Sequence, residues 1–214
     1  MLKVAITGGI GSGKTYISKV FEALSVPVFN ADLEAKSLYE LPEIIQEVRE
    51  IIPDTFNPDT QSLDLKRLTE IVFLDSEKLQ LLNAVIHPKV MNKYKIWLKE
   101  HADCTYTVLE SAIIFEIGWA QYFDFIIGVD SELETRYERI KACRNLSQED
   151  FFQRVSLQLD NQEKLNRCNA VICNFKNSEI LTQVLALDEQ IRTPDFDQYP
   201  DLSIPIDNPP QIAL

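Results

Sequence analysis

A glycine-rich segment near the start of the chain has the residue types needed to bind phosphate. Residues 8–15 read GGIGSGKT and hold four of the six glycines in the chain. They fit the pattern G-x-x-x-x-G-K-[ST], in which Gly8 is followed after four residues by Gly13, Lys14 and Thr15. Backbone N–H groups can wrap a phosphate only in conformations, and at a distance, that a Cβ atom would obstruct. The segment therefore predicts a phosphate-binding loop, with Lys14 as a cation for the outer phosphates and the Thr15 hydroxyl as a ligand of Mg²⁺.

The residues on both sides of this loop support that interpretation. KVAIT at 3–7 is a short, β-branched apolar run, which predicts a buried strand. From Lys14 onward apolar residues recur at helical spacing. A helix is therefore expected to begin at the end of the loop and to direct its positive N-terminal end at the bound anion. We expect a nucleoside triphosphate site formed by Gly8, Gly9, Ile10, Gly11, Ser12, Gly13, Lys14, Thr15 and Tyr16.

A phosphate-binding loop alone leaves GTPases, ATPases and small-molecule kinases open. The guanine-binding motif N-K-x-D is absent, since NKYK at 92–95 has no aspartate in place, and this disfavours a GTPase. A kinase of a small hydroxyl substrate needs a carboxylate beside the acceptor. Asp32 is the first candidate because it follows PVFN at 27–30, a predicted strand, and ligands gather beyond the carboxyl ends of such strands. The same position also suits a helix cap, and the local sequence favours neither role.

Strands and helices alternate along most of the chain. From about residue 40 to 103 successive helical patterns occur without a convincing strand, and strand patterns return at 105–110, 123–130 and 169–174. This order predicts an α/β fold of three layers, in which helices cover both faces of a parallel sheet. The long helical segment exceeds what a simple crossover between strands requires, so it is an insertion in that fold.

Composition narrows the class of protein further. The formal net charge of −12 argues against a general nucleic-acid binder, which needs clustered Lys and Arg to neutralise phosphates. No apolar run is long enough to span a membrane, and the N-terminal residues do not read as a secretory leader. We therefore expect a cytoplasmic protein with its four cysteines as free thiols. Residues 193–214 are rich in proline and aspartate and are expected to form a disordered acidic tail.

Four further segments, taken in order with the loop, resemble those of the dephospho-CoA kinases. The family patterns are DAD, L-N-x-x-x-H-P, LLDxPLLFE, and R-x-x-L-S…R-x-x-x-Q…K…A-D-x-V-I-x-N. The matching segments are FNADLEAK (29–36), LLNAVIHPKV (81–90), VLESAIIFE (108–116) and RNLSQEDFFQRVSLQLDNQEKLNRCNAVICN (144–174). The resemblance spans roughly residues 3–192. The departures are Glu110 for aspartate, Ala112 for proline, Asn169 before Ala170 instead of Ala-Asp, and one residue fewer near Asn145.

The resemblance implies an activity and an organisation. These kinases transfer the γ-phosphoryl group of ATP to the 3′-hydroxyl of dephospho-CoA, the last step of coenzyme A synthesis. Asp32 would then be the base or orienting carboxylate, with Lys14 and Arg144 as the other catalytic residues. The strand order would be 2-3-1-4-5. The implied parts are a P-loop nucleotide-binding core (1–32, 104–135 and 168–192), a helical CoA-substrate domain (33–103) and a helical lid (136–167).

The resemblance also implies roles for residues outside the loop. Glu110 would join Thr15 in binding Mg²⁺, and Asn174 would lie near adenine, although asparagine is also a common turn residue. The residues assigned to the substrate, besides Asp32, are His87, Glu116 and Arg154. For His87, which precedes a proline, packing at a helix kink is the alternative.

The lid segment is basic in an acidic chain. Residues 136–167 contain seven basic and five acidic residues. Arginines on a lid could bracket the transferring phosphoryl group after closure, and Arg144 is the residue expected to do so. Arg136 and Lys141 are instead expected on a solvated helix face.

Two other functions remain open from the residues alone. A nucleoside or nucleoside-monophosphate kinase shares the sheet, the loop and the lid, and acceptor preference separates it from the first reading. A nucleotide-sensing module without phosphoryl transfer is disfavoured by the presence of Asp32, Lys14 and Thr15.

Overall fold

The computed structural model describes residues 1–144 and 146–193, and the side chain of Arg144 lies outside the description. The predicted disordered tail is outside the described residues from position 194 onward. Within the described part, no helix is both long and apolar enough to cross a membrane.

Five strands of the described chain form one sheet in the order β2-β3-β1-β4-β5, the order expected from the family resemblance. The pairings of β1 with β3, β1 with β4 and β4 with β5 are parallel. Each strand falls where an apolar, β-branched run predicted one. The bounds are β1 Leu2–Thr7, β2 Val28–Asn30, β3 Tyr106–Glu110, β4 Phe125–Asp130 and β5 Ala170–Cys173.

Helices occupy most of the remaining described chain. Their bounds are α1 Lys14–Ala23, α2 Ala31–Leu38, α3 Pro42–Ile51, α4 Leu65–Leu74, α5 Ser76–Glu100, α6 Leu133–Arg144, α7 Gln148–Ser156, α8 Asn161–Asn166 and α9 Ile180–Arg192. Short 3₁₀ turns lie at Pro53–Thr55 and Trp119–Tyr122. The alternation of these helices with parallel strands is the predicted three-layer α/β fold.

The chain divides into two compact units, and the first contains residues 1–28 and the chain from Asp103 onward. Its core is the apolar sheet covered by helices, and it includes Val4, Ile6, Ile17, Phe21, Val108, Ile127, Val129, Ile172, Val184 and Leu187. Strands buried on both faces in this way read as continuous apolar runs rather than as alternating ones. This packing fixes the carboxyl ends of β1, β3, β4 and β5, from which the candidate site is built.

The second unit, Phe29–Ala102, is helical. The side chains of Asp64 and Asp75 accept hydrogen bonds from the first turns of α4 and α5 and so cap these helices. α5 continues through Pro88 and buries Leu82, Ile86, Val90 and Tyr94. The unit corresponds to the helical segment at 33–103, and its assignment to substrate binding stays a prediction.

Candidate active site

The glycine-rich loop has the backbone conformation that its composition predicts. Gly11 and Gly13 have φ angles of 78° and 99°, in the left-handed region that side chains other than glycine rarely adopt. A Cβ on Gly11 would also lie 2.5 Å from the carbonyl oxygen of Arg136, and one on Gly13 would overlap Nδ2 of Asn174. The loop therefore needs glycine both for its turn and for the close approach of neighbouring elements.

The loop leads directly into α1, whose first turn is free to face an anion. Its N-cap is Gly13, and neither a capping side chain nor an acidic residue occupies that turn. Lys14 is buried, and its Nζ donates hydrogen bonds to the carbonyl oxygens of Gly8 at 3.0 Å and Gly9 at 3.2 Å. The lysine thus lies across the first half of the loop, next to the positive end of the helix. Tyr16, also predicted to contact nucleotide, is exposed on α1.

Thr15 and Glu110, the two predicted metal ligands, lie side by side. The Thr15 hydroxyl donates a hydrogen bond to Oε1 of Glu110 at 2.6 Å. Glu110 ends β3, where it pairs in register with Ile6 of β1, and it is almost fully buried. A hydroxyl and a carboxylate are oxygen ligands that suit Mg²⁺. No group of three or more His, Cys, Asp or Glu in the described chain could hold a metal, but Mg²⁺ bound to a nucleotide needs only one or two protein ligands.

Asn174 and Arg139 hold the loop from the side of β5. The Asn174 Nδ2 donates to the Ser12 carbonyl oxygen at 2.8 Å, and Arg139 donates to the same oxygen at 3.2 Å. Arg139 also donates to the Ser131 hydroxyl and to both oxygens of Asn174. Asn174, predicted to lie near adenine, therefore contacts the loop itself. The sequence analysis assigned no role to Arg139. The basic composition of the lid segment was the signal that could have pointed to it.

Arg136 is not on a solvated face, and the prediction for this residue is wrong. It is 4% exposed, and its Nε donates to the Ile10 carbonyl oxygen at 2.9 Å. Lys141 is exposed, as predicted. The difference arises because α6 lies against the loop, so that its residues 136 and 139, three apart on one face, meet the loop, whereas residue 141 points away.

The lid segment also reaches the loop through Gln158, the glutamine of the R-x-x-x-Q pattern, to which the sequence analysis assigned no role. Its Oε1 accepts a hydrogen bond from the Ile10 backbone N–H at 3.0 Å.

Further along the segment, the fully buried Lys164 pairs with Glu116 at 2.8 Å and donates to the Ala112 carbonyl oxygen at 2.6 Å. Glu116, predicted to contact substrate, thus has a partner within the first unit. Arg154 is half-buried on α7, and the side chain of Arg144 is outside the described structure.

The remaining predicted residues, Asp32 and His87, belong to the second unit. Asp32 is exposed in the first turn of α2. The cap of α2 is Asn30, whose side chain accepts from the Leu33 N–H at 2.9 Å, so the alternative reading of Asp32 as a helix cap is wrong. His87 lies within α5, and burial lowers its pKa.

Comparison with known proteins identifies the family of this chain. The family model for dephospho-CoA kinase matches residues 2–180. A dephospho-CoA kinase of Bacteroides fragilis is 34% identical over 190 residues, which cover 87% of this chain and 91% of the relative. The crystal structure of TT1252 from Thermus thermophilus is similar with a TM-score of 0.78 and 29% identity, over 90% of this chain and 98% of that one. A dephospho-CoA kinase structure from Campylobacter jejuni shares the fold, with a TM-score of 0.64 and 24% identity, over 89% of this chain and 96% of that one. The chain belongs to the dephospho-CoA kinase family.

Proposed function

We propose that this ATP-dependent kinase transfers the γ-phosphoryl group of ATP to the 3′-hydroxyl of dephospho-CoA, giving CoA and ADP in the last step of coenzyme A synthesis. The observation that carries the proposal is the 2.6 Å contact between Thr15 and Glu110 at the end of a phosphate-binding loop. Family membership supplies the identity of the acceptor.

The nucleotide would be held by the loop and by α1. The backbone N–H groups of the loop and the N-terminal end of α1 would bind the inner phosphates, and Lys14 would leave the Gly8 and Gly9 carbonyls to bind the outer ones. Thr15 and Glu110 would hold Mg²⁺, directly or through water. When bound, Mg²⁺ neutralises charge on the β- and γ-phosphates and holds them in one geometry. Asn174 would lie near adenine, at the end of β5.

Asp32 is the residue that we assign to the acceptor. In the reaction the 3′-oxygen forms a bond to the γ-phosphorus, the bond from that phosphorus to the β–γ bridging oxygen breaks, and ADP leaves with the bond's electron pair. The hydroxyl proton would pass to the Asp32 carboxylate or through it to water. Because such transition states are loose, Asp32 would contribute more by positioning the hydroxyl than by basicity. Its exposure in the first turn of α2 leaves the carboxylate accessible to a ligand.

The other assignments rest on the family resemblance. His87, Glu116 and Arg154 would contact dephospho-CoA, and Arg144 would stabilise the transferring phosphoryl group. The helical unit Phe29–Ala102 would bind the CoA portion, and residues 136–167 would close as a lid. We further propose that the protein acts in the cytoplasm on small molecules and binds no nucleic acid, consistent with its net charge of −12.

The test is ADP release from ATP and Mg²⁺ with dephospho-CoA, AMP, adenosine or no added acceptor. We expect turnover with dephospho-CoA alone. In Asp32→Asn we expect kcat to fall about 100-fold or more with ATP affinity unchanged, since the carboxylate acts only on the acceptor. Glu43→Gln, which neutralises an exposed carboxylate of the same unit in the first turn of α3, is the matched control.

Each other outcome would overturn a defined part of the proposal. Turnover with AMP or adenosine instead would identify a nucleoside or nucleoside-monophosphate kinase. ATP binding without turnover on any acceptor would indicate a nucleotide-sensing module. Full activity of Asp32→Asn would remove Asp32 from the mechanism but leave the acceptor assignment intact.

A further inference from the structure

Arg136 packs closely against the phosphate-binding loop, and no sequence pattern predicts this contact. Its guanidinium faces Gly9, where an added Cβ would lie 2.5 Å from Cζ and 2.8 Å from Nη1, and would overlap Nη2. Gly9 occupies a position that the motif G-x-x-x-x-G-K-[ST] leaves open. The approach of Arg136 therefore accounts for a glycine that the motif does not demand.

The hydrogen bonds of Arg136 leave most of its donors unused. A guanidinium has five N–H groups, of which one is on Nε and four are on Nη1 and Nη2. The Nε of Arg136 donates to the Ile10 carbonyl oxygen, and no other hydrogen bond or ion pair joins its side chain to a described residue. The outer nitrogens of this nearly buried cation have no acceptor among the described residues, and a bound anion would supply one in place of water. Consistent with this, burial lowers the pKa of Arg136, and the Asp130 carboxylate opposes that shift.

Arg139, one helical turn further along α6, provides the contrast. Its Nη1 donates to Ser12 and Ser131, and its Nη2 donates to both oxygens of Asn174. Both outer nitrogens are therefore occupied by protein acceptors. Arg139 braces the loop, whereas Arg136 meets the loop with its outer nitrogens still able to bind a ligand.

The position of Arg136 indicates that it would contact the outer phosphates of the nucleotide. Lys14, the cation that reaches the outer phosphates in such loops, has its Nζ on the carbonyls of Gly8 and Gly9. The guanidinium of Arg136 faces the same Gly9. Two cations thus flank one end of the loop, where the most negatively charged part of ATP would lie.

We propose that Arg136 is a further phosphate-binding residue, whose Nη1 and Nη2 donate hydrogen bonds to the terminal phosphate of ATP while Nε keeps its bond to Ile10. The proposal rests on the proposed function, since it assumes that ATP occupies this loop. It assigns to a residue of α6 the recognition of the phosphoryl group that is transferred. Arg136 would then favour ATP over ADP, because ADP lacks that group.

The experiment compares binding of ATP and ADP, each with Mg²⁺, to the full chain and its variants by calorimetry. For Arg136→Gln we expect the Kd of ATP to rise about tenfold or more and that of ADP to change less than about threefold. Arg136→Lys keeps the charge but not the paired donors, so its Kd for ATP should lie between those of Arg136→Gln and the unaltered protein. Lys141→Gln removes an exposed charge from the same helix and should bind both nucleotides normally.

A second variant displaces the guanidinium without removing it. Gly9 is outside the left-handed region, so Gly9→Ala is compatible with its backbone and would push the flexible Arg136 side chain away. It should show the same selective loss of ATP affinity, and little further loss when combined with Arg136→Gln, which separates displacement of the guanidinium from obstruction of the phosphate by the Cβ itself. Equal weakening of ATP and ADP in both variants would make Arg136 a brace of the loop, and unchanged binding of both would exclude any contact; either result overturns the proposal. Failure of the unaltered protein to phosphorylate dephospho-CoA while it binds ATP would overturn the proposed function instead.

Discussion

The hydroxyl of Thr15 donates a hydrogen bond to Glu110 at 2.6 Å and so joins the first turn of α1 to the carboxyl end of β3. Thr15 is the last residue of the loop segment, and Glu110 is held in register opposite Ile6 by the parallel pairing of β1 and β3. The two predicted metal ligands are therefore positioned by a packed helix and a central sheet. Sites placed on such rigid elements hold their geometry better than sites on free loops.

Neutralising Glu110 is expected to weaken the use of Mg²⁺. Glu110→Gln keeps the size of the side chain and an acceptor for Thr15, but it removes the negative charge. We expect the Mg²⁺ concentration for half-maximal ADP release to rise, or kcat to fall, by about 10- to 100-fold. Glu110→Asp keeps the charge on a shorter side chain and should retain more activity. A Mg²⁺ titration tests this, with the exposed Glu134→Gln as control, and an unchanged Mg²⁺ dependence in Glu110→Gln would contradict it.

The sequence predicted the elements that depend on local pattern. The loop and the strand before it were readable because glycine and apolar β-branched residues are needed there by backbone geometry and burial alone. The order of the strands was not readable in this way and came from the family resemblance, because pairing joins segments far apart in the chain. Glu110 illustrates the second point, since its predicted role as a metal ligand came from the family resemblance and its contact with Thr15 depends on the pairing of β1 with β3.

The errors concern side chains whose surroundings depend on how elements pack. Whether Arg136 is solvated depends on which face of α6 meets the loop, and the spacing of charges does not encode that. Asp32 and Asn30 are both suitable helix caps, and only the actual start of α2 selects Asn30. The burial of Lys164, for which the sequence offered no prediction, likewise depends on packing, because Glu116, distant in sequence, supplies a partner for its charge.

Two cysteines, Cys143 within the predicted lid segment and Cys168 just after it, should differ in reactivity. Burial raises the pKa of Cys168 to about 12, whereas Cys143 is exposed on α6. Because the thiolate is the reactive form, we expect a thiol reagent at about pH 8 to modify Cys143 rapidly and Cys168 only after unfolding. Mass spectrometry of peptides during labelling measures both rates, and Cys143→Ser should remove the fast phase. Equal labelling of the two residues in the folded protein would show that Cys168 is accessible.

Acid should destabilise the protein partly through His87. Burial lowers the pKa of His87 below its unfolded value of 6.5, so between the two values the unfolded chain binds more protons than the folded one. The free energy of unfolding therefore falls as the pH decreases from above 6.5 toward the folded pKa and levels off below it. We expect the difference in Tm between the unaltered protein and His87→Gln to shrink from pH 7.5 to pH 5, about the range that histidine titrates. Parallel Tm curves for the two proteins would contradict the assignment.

Breaking the ion pair of Lys164 and Glu116 should lower the free energy of unfolding more than it affects the binding of substrate. Lys164 is fully buried, and besides Glu116 it donates to the Ala112 carbonyl oxygen. Glu116→Ala leaves the buried ammonium uncompensated, and we expect the free energy of unfolding to fall by about 3–5 kcal/mol. Replacing both residues, as Lys164→Met with Glu116→Leu, should restore part of this loss because no buried charge remains. Urea denaturation measures each value. A rise in KM for dephospho-CoA in Glu116→Ala with unchanged stability would instead assign Glu116 to the substrate alone.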